Sequence, residues 1–115
     1  MPKTVIADQV RPASQYINAR VLVAGVAERE TLPTAYNVLV INSTANVYAK
    51  FGGSGITATV PVDTTDGTAS ELSPTGYVLP EWATHVSIIS PVNCIATLAY
   101  YNESTRISTY YRTAV

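Results

Sequence analysis

The sequence predicts an all-β chain, a jelly-roll-like β-sandwich of about seven to nine short antiparallel strands with extended N- and C-terminal arms. Three observations lead there. Apolar and polar residues alternate with period two in several segments, as in strands with one buried face. Turn residues recur roughly every 8 to 12 positions, the spacing of short strands in sandwiches and jelly rolls. No stretch of about ten residues carries the 3.6-residue apolar period of an amphipathic helix.

A chain of 115 residues reads as one domain, 1–115, with a single core. Residues 1–19 form an N-terminal arm in this reading. The run Val5-Ile6-Ala7 supplies one short strand, and Arg11-Pro12 followed by Ser14-Gln15 argues against a helix. Arg20 to Val26 (RVLVAGV) is apolar on both faces and β-branched, which predicts a strand covered on both sides. Ala27 to Pro33 (AERETLP) is the most helix-tolerant stretch, long enough for one turn or a charged loop. Tyr36 to Ile41 (YNVLVI) is the next strand, and Asn42 to Asn46 is its turn.

The stretch from Val47 to Val60, VYAKFGGSGITATV, shows the alternation most clearly. Val47, Ala49 and Phe51 alternate with Tyr48 and Lys50, and Ile56, Ala58 and Val60 alternate with Thr57 and Thr59. The intervening Gly52-Gly53-Ser54-Gly55 supplies the conformational freedom of a tight loop. A hairpin is expected here, completing a three-stranded meander with the preceding strand. Pro61 to Gly76 is an exposed polar loop with turns. A strand-like Tyr77 to Leu79 follows, and Trp82 is expected to cap one end of the sandwich with its ring buried and its indole N–H bonded to backbone. Val86 to Ser90 and Ile95 to Tyr101 read as a second hairpin around Pro91-Val92-Asn93. Residues 104–115 are a last strand or a tail.

Charge is the informative part of the composition. Only 13% of residues are charged, against about 25% in an average domain, and the mean hydropathy is +0.16. A monomer of 12.3 kDa exposes about 6,100 Å², so seven Lys and Arg and eight Asp and Glu leave roughly 400 Å² per charge. That approaches the largest apolar patch a soluble monomer tolerates. The surface is then carried by Thr, Ser, Asn, Ala and Tyr, which suits burial against other subunits, so a homo-oligomer is expected. The net charge of −1 argues against nucleic acid as a partner. No run of about 18 apolar residues marks a membrane span, and the start MPKTVIADQVRP lacks the apolar segment of a signal peptide, so synthesis in the cytoplasm is expected.

Residues able to carry chemistry lack companions. Cys94 is the only cysteine, which excludes an internal disulfide and a cysteine metal cage and leaves a small buried thiol. His85 is the only histidine and cannot close a zinc site alone. No serine sits in a nucleophile-elbow context. Asp63 and Asp66 with Gly67 read as a solvated turn, because a calcium loop needs more oxygen ligands at defined spacing and a glycosidase pair needs a cleft. Gly52 to Gly55 lacks the lysine of a phosphate loop. Asn42-Ser43-Thr44 and Asn102-Glu103-Ser104 match the glycosylation triplet and read as turns. The expectation is a protein without catalytic residues, cofactor or metal.

The eight tyrosines are the over-supplied group. Tyr100 and Tyr101 are adjacent, as are Tyr110 and Tyr111, so in a strand one of each pair faces outward. With Arg112 they are the candidate interface residues, being types that anchor protein interfaces. Sugar stacking would use the same rings.

The span from Tyr36 to Tyr101 resembles small structural proteins of tailed-phage virions. The residues that carry this are VLVINSTANVYAKFGGSGITATVP, then YVLPEWATHVSIIS after a polar loop, then ATLAYY. The resemblance implies one of the head or tail components of the virion, among them the capsid decoration or cement proteins of jelly-roll type. A decoration protein would bind the phage major capsid protein on the outer capsid surface of the virion as a homo-oligomer, dimer or trimer. The alternative it leaves is a small carbohydrate- or receptor-binding module of a tail fibre or other tail component.

Overall fold

Period-two alternation does build strands, but their partners are set by long-range packing. The computed structural model describes residues 13–72 and 75–102. The strands are β1 (Tyr16–Leu22), β2 (Glu28–Thr31), β3 (Val38–Ser43), β4 (Tyr48–Gly52), β5 (Glu71–Leu72), β6 (Gly76–Val78), β7 (His85–Ile89) and β8 (Cys94–Tyr101). There is no helix among the described residues. The strands form two four-stranded antiparallel sheets, ordered β1-β8-β3-β6 and β2-β7-β4-β5.

The pairs β1·β8, β2·β7, β3·β6 and β4·β5 are those of one long hairpin folded at the β4–β5 connection. Rolling that hairpin adds the β8·β3 and β7·β4 pairs and gives a jelly-roll β-sandwich. The core lies between the sheets, where Leu22, Leu39, Ile41, Val86, Ile88 and Leu98 meet. Each such side chain contributes about 1.5–3 kcal/mol by leaving water. Cys94 is buried in the same cluster.

Two expected hairpins are absent because the short connections cross between sheets. β3 pairs with β8 and β6, while β4 lies in the opposite sheet, so the meander does not form. β7 and β8 are likewise in opposite sheets. Their connection is braced by the Gly25 amide on the Ser90 carbonyl at 2.8 Å and the Ala24 amide on Asn93 Oδ1 at 2.8 Å.

The 47–60 hairpin also fails, although β4 itself forms. After Gly52 the chain turns, with the Ile56 amide on the Gly53 carbonyl at 3.1 Å. Ile56 then packs so closely over Gly52 that a Cβ there would lie 2.9 Å from Ile56 Cδ1. The chain continues across the outer face of the β2-β7-β4-β5 sheet. Three outward residues at one register level, Arg29, Ser87 and Lys50, hold it there. Arg29 Nη1 donates to the Ile56 carbonyl at 3.0 Å, the Ala58 amide donates to Ser87 Oγ at 2.8 Å, and Lys50 Nζ donates to the Thr68 carbonyl at 2.5 Å.

Three smaller expectations also change. β1 is open on its outer face rather than covered on both sides, with Val21 75% exposed. The AERETLP stretch contains strand β2 rather than a helical turn or loop, because Glu30 points inward to partners on β1. The arm ends earlier than residue 19, since β1 begins at Tyr16. Residues 1–12 and 103–115, which hold the rest of both expected arms, lie outside the described residues.

Candidate functional site

The only buried charged cluster among the described residues sits where the edge strands of the two sheets, β1 and β2, face each other. Glu30 is buried. It accepts from Tyr100 Oη at 2.5 Å, Asn18 Nδ2 at 3.0 Å and Arg20 Nε at 3.0 Å. Arg20 also reaches Glu28 at 3.5 Å and the Arg29 carbonyl at 3.3 Å. A buried carboxylate needs such partners. Burial first, and the adjacent Glu30 acceptor second, push the Tyr100 phenol well above its ordinary pKa. The cluster ties β1, β2 and β8 together through one shared carboxylate.

Tyr100 therefore leaves the set of candidate interface residues. Along β8 the residues Cys94, Ala96, Leu98 and Tyr100 turn inward, and Tyr100 is 0% exposed. Tyr101 turns to the outer face and is half-buried beside Val38. Tyr110, Tyr111 and Arg112 lie outside the described residues.

The other polar candidates are held in local structure. His85 Nδ1 lies 2.8 Å from Thr84 Oγ1 and Nε2 lies 3.3 Å from Thr31 Oγ1. Asp66 accepts from Thr68 Oγ1 at 2.6 Å and the Thr68 amide at 3.1 Å, and these bonds, the hydroxyl's foremost, hold its carboxyl below the usual range. Among the described residues no group of three His, Cys, Asp or Glu side chains converges on a common point.

Two surfaces remain. The first is the outer face of the β1-β8-β3-β6 sheet. Its outward positions alternate with the core residues and comprise Ile17, Ala19 and Val21 on β1, Ile95, Thr97, Ala99 and Tyr101 on β8, Val38, Val40 and Asn42 on β3, and Gly76 and Val78 on β6. None is charged. Val38, Val40 and Ala99 at its centre are buried, whereas Ile17, Val21, Ile95 and Val78 at its margins are exposed. The opposite sheet instead carries Arg29 and Lys50 outward beneath the chain's own 53–70 connection.

The second is a groove of about 440 Å³ between the 32–37 and 79–84 connections. Leu32, Tyr36, Leu79 and Ala83 give it apolar walls, and Thr34, Thr84 and Glu81 add polar atoms. Tyr16 packs edge-on against Tyr100 and tilted against Tyr36, with ring centroids 5.4 and 5.5 Å apart, tying this end to the core. Trp82 stands beside the groove and is 72% exposed, the reverse of the buried cap expected. The Ala83 amide bonds to the Pro80 carbonyl at 3.2 Å, so Trp82 occupies the corner of a turn and its ring is carried away from the core. Pro80 holds the first position of this turn rather than the second, where proline ordinarily marks one, so the sequence carried no specific signal for it.

No family model, curated protein or solved structure matches the chain.

Proposed function

We propose that the protein is a non-enzymatic decoration protein of a tailed-phage capsid, bound to the major capsid protein on the outer surface of the head and stabilising it. The observation that carries this reading is the uncharged outer face of the β1-β8-β3-β6 sheet, a surface with the composition of an interface core on a chain that bears few charges elsewhere. The resemblance of the Tyr36–Tyr101 span to small virion proteins supplies the partner. Decoration works by repetition: each copy contributes modest affinity, and a lattice of sites multiplies it through effective concentration. Tyr101, with Tyr110, Tyr111 and Arg112, remains a candidate contact residue.

The test is co-sedimentation of the purified protein with undecorated capsids, followed by heating of the particles. Binding together with a raised rupture temperature supports the reading. Binding without stabilisation, or no binding, overturns it.

Trp82 favours a second reading, a carbohydrate-binding module of a tail component. An exposed indole is a platform for the apolar face of a sugar ring, and Thr34, Thr84 and Glu81 would bond its hydroxyls. Retention on a glycan column that Trp82→Ala abolishes, with no capsid binding, selects this reading.

A further inference from the structure

We propose that β1 is a self-association edge, pairing antiparallel with β1 of a second copy to join the two β1-β8-β3-β6 sheets into one of eight strands. A strand at a sheet edge directs the N–H and C=O of alternate residues toward the open side, and proteins usually blunt such edges by shortness or charge. Three of the four sheet edges are blunted here. β5 has two residues, β6 has three, and β2 has four, of which Glu28, Arg29 and Glu30 are charged. β1 has seven residues, contains no proline and pairs only with β8 among the described residues. Its one charged side chain, Arg20, is drawn inward to Glu30 and Glu28, so it does not guard the rim.

The occupant is a second copy because the edge is complementary to itself. A two-fold axis through Ala19 aligns Tyr16–Leu22 of one copy with Leu22–Tyr16 of the other. Ile17 then lies opposite Val21 of the second copy, twice, as β-branched cross-strand pairs, and no like charges meet on the outer face. Area points the same way. At strand dimensions the uncharged face of one copy spans roughly 400 Å², about half of what each partner contributes to a specific interface. Joining two sheets edge to edge makes a continuous face of roughly 800 Å². The self-association does not require a capsid, so its failure and that of the decoration reading are separable.

The experiment is sedimentation equilibrium of the full chain and two double variants, with circular dichroism to confirm folding. Ile17→Lys with Val21→Lys sets lysine against lysine at both cross-strand pairs, while Ile17→Lys with Val21→Glu sets lysine against glutamate in the same register. The wild type is expected to dimerise, the Lys/Lys variant to dissociate about tenfold more readily or worse, and the Lys/Glu variant to regain most of that loss. Amide exchange needs no substitution: protection of the outward-pointing β1 amides should rise with wild-type concentration. A monomeric wild type, an unweakened Lys/Lys variant, a Lys/Glu variant as weak as Lys/Lys, or concentration-independent exchange in β1 overturns the proposal.

Discussion

The Ala58 amide donates to the Ser87 hydroxyl at 2.8 Å, fastening the 53–70 connection to the outer face of the β2-β7-β4-β5 sheet. Both residues are almost wholly buried. Ser87→Ala removes the acceptor and strands a buried N–H, which should cost about 1–3 kcal/mol. Chemical denaturation measures it. A change within a few tenths of a kcal/mol would mean that Arg29 and Lys50 hold the connection alone.

The Glu30 cluster should behave as a unit. Glu30→Ala leaves Tyr100 and Arg20 without their shared acceptor, and should destabilise by about 2–4 kcal/mol, reduced from a fully buried pair because Arg20 is partly exposed. Tyr100→Phe should cost less, about 1–2 kcal/mol. The double variant should cost less than the two losses added, because both remove the same bond. Additive losses would show that the phenol and the carboxylate act separately.

Stability should fall at alkaline pH. The folded-state pKa values of Tyr100 and Tyr77 are both raised, burial being the largest cause, with Glu30 and Glu71 as the respective carboxylate partners. A raised folded pKa favours the neutral phenol, so its contribution is whole below the unfolded value near 10 and is lost as pH climbs toward the folded value. The loss approaches about 1.4 kcal/mol per pH unit for the fully buried Tyr100. Denaturation midpoints between neutral pH and the alkaline range measure this slope, and Tyr100→Phe should flatten it. A wild-type midpoint that stays constant above pH about 10 contradicts the phenol's buried, neutral placement.

The tyrosines beyond the described residues are tested through binding. Tyr110→Ala with Tyr111→Ala should weaken co-sedimentation with undecorated capsids and leave the β spectrum and melting of the free protein nearly unchanged, since both are residue types of interface anchors. Full binding by this variant removes residues 104–115 from the contact.

Strand positions were far more legible than strand partners. β4 coincides with an alternating stretch, and β3, β7 and β8 with short apolar runs bounded by turn residues, because apolar patterning records which faces of a strand are buried. It does not record which sheet a strand joins, so the short connections around Ala45 and Val92 looked like hairpin turns. Ala58 misled for a related reason: it alternates with Thr57 and Thr59 because Ser87 and the sheet beneath bury it, not because it belongs to a ladder. β2 was hidden by Glu28, Arg29 and Glu30, whose meaning depends on Arg20 and Asn18 on a strand of the other sheet. Trp82 was assigned to the core on residue type, while its exposure follows from the turn that begins at Pro80. The uncharged sheet face was foreshadowed by low charge alone, since which residues share it requires the register of β1, β8, β3 and β6.

The central claim is that this face is the working surface. Its most direct test is the affinity of Val78→Lys with Ile95→Lys for undecorated capsids, beside that of the wild type. Both positions are exposed, so the fold should survive, while two charges enter an otherwise uncharged face. The account predicts that the wild type binds and that the variant binds at least about tenfold more weakly. Equal binding by the variant, or no binding by the wild type, would contradict it.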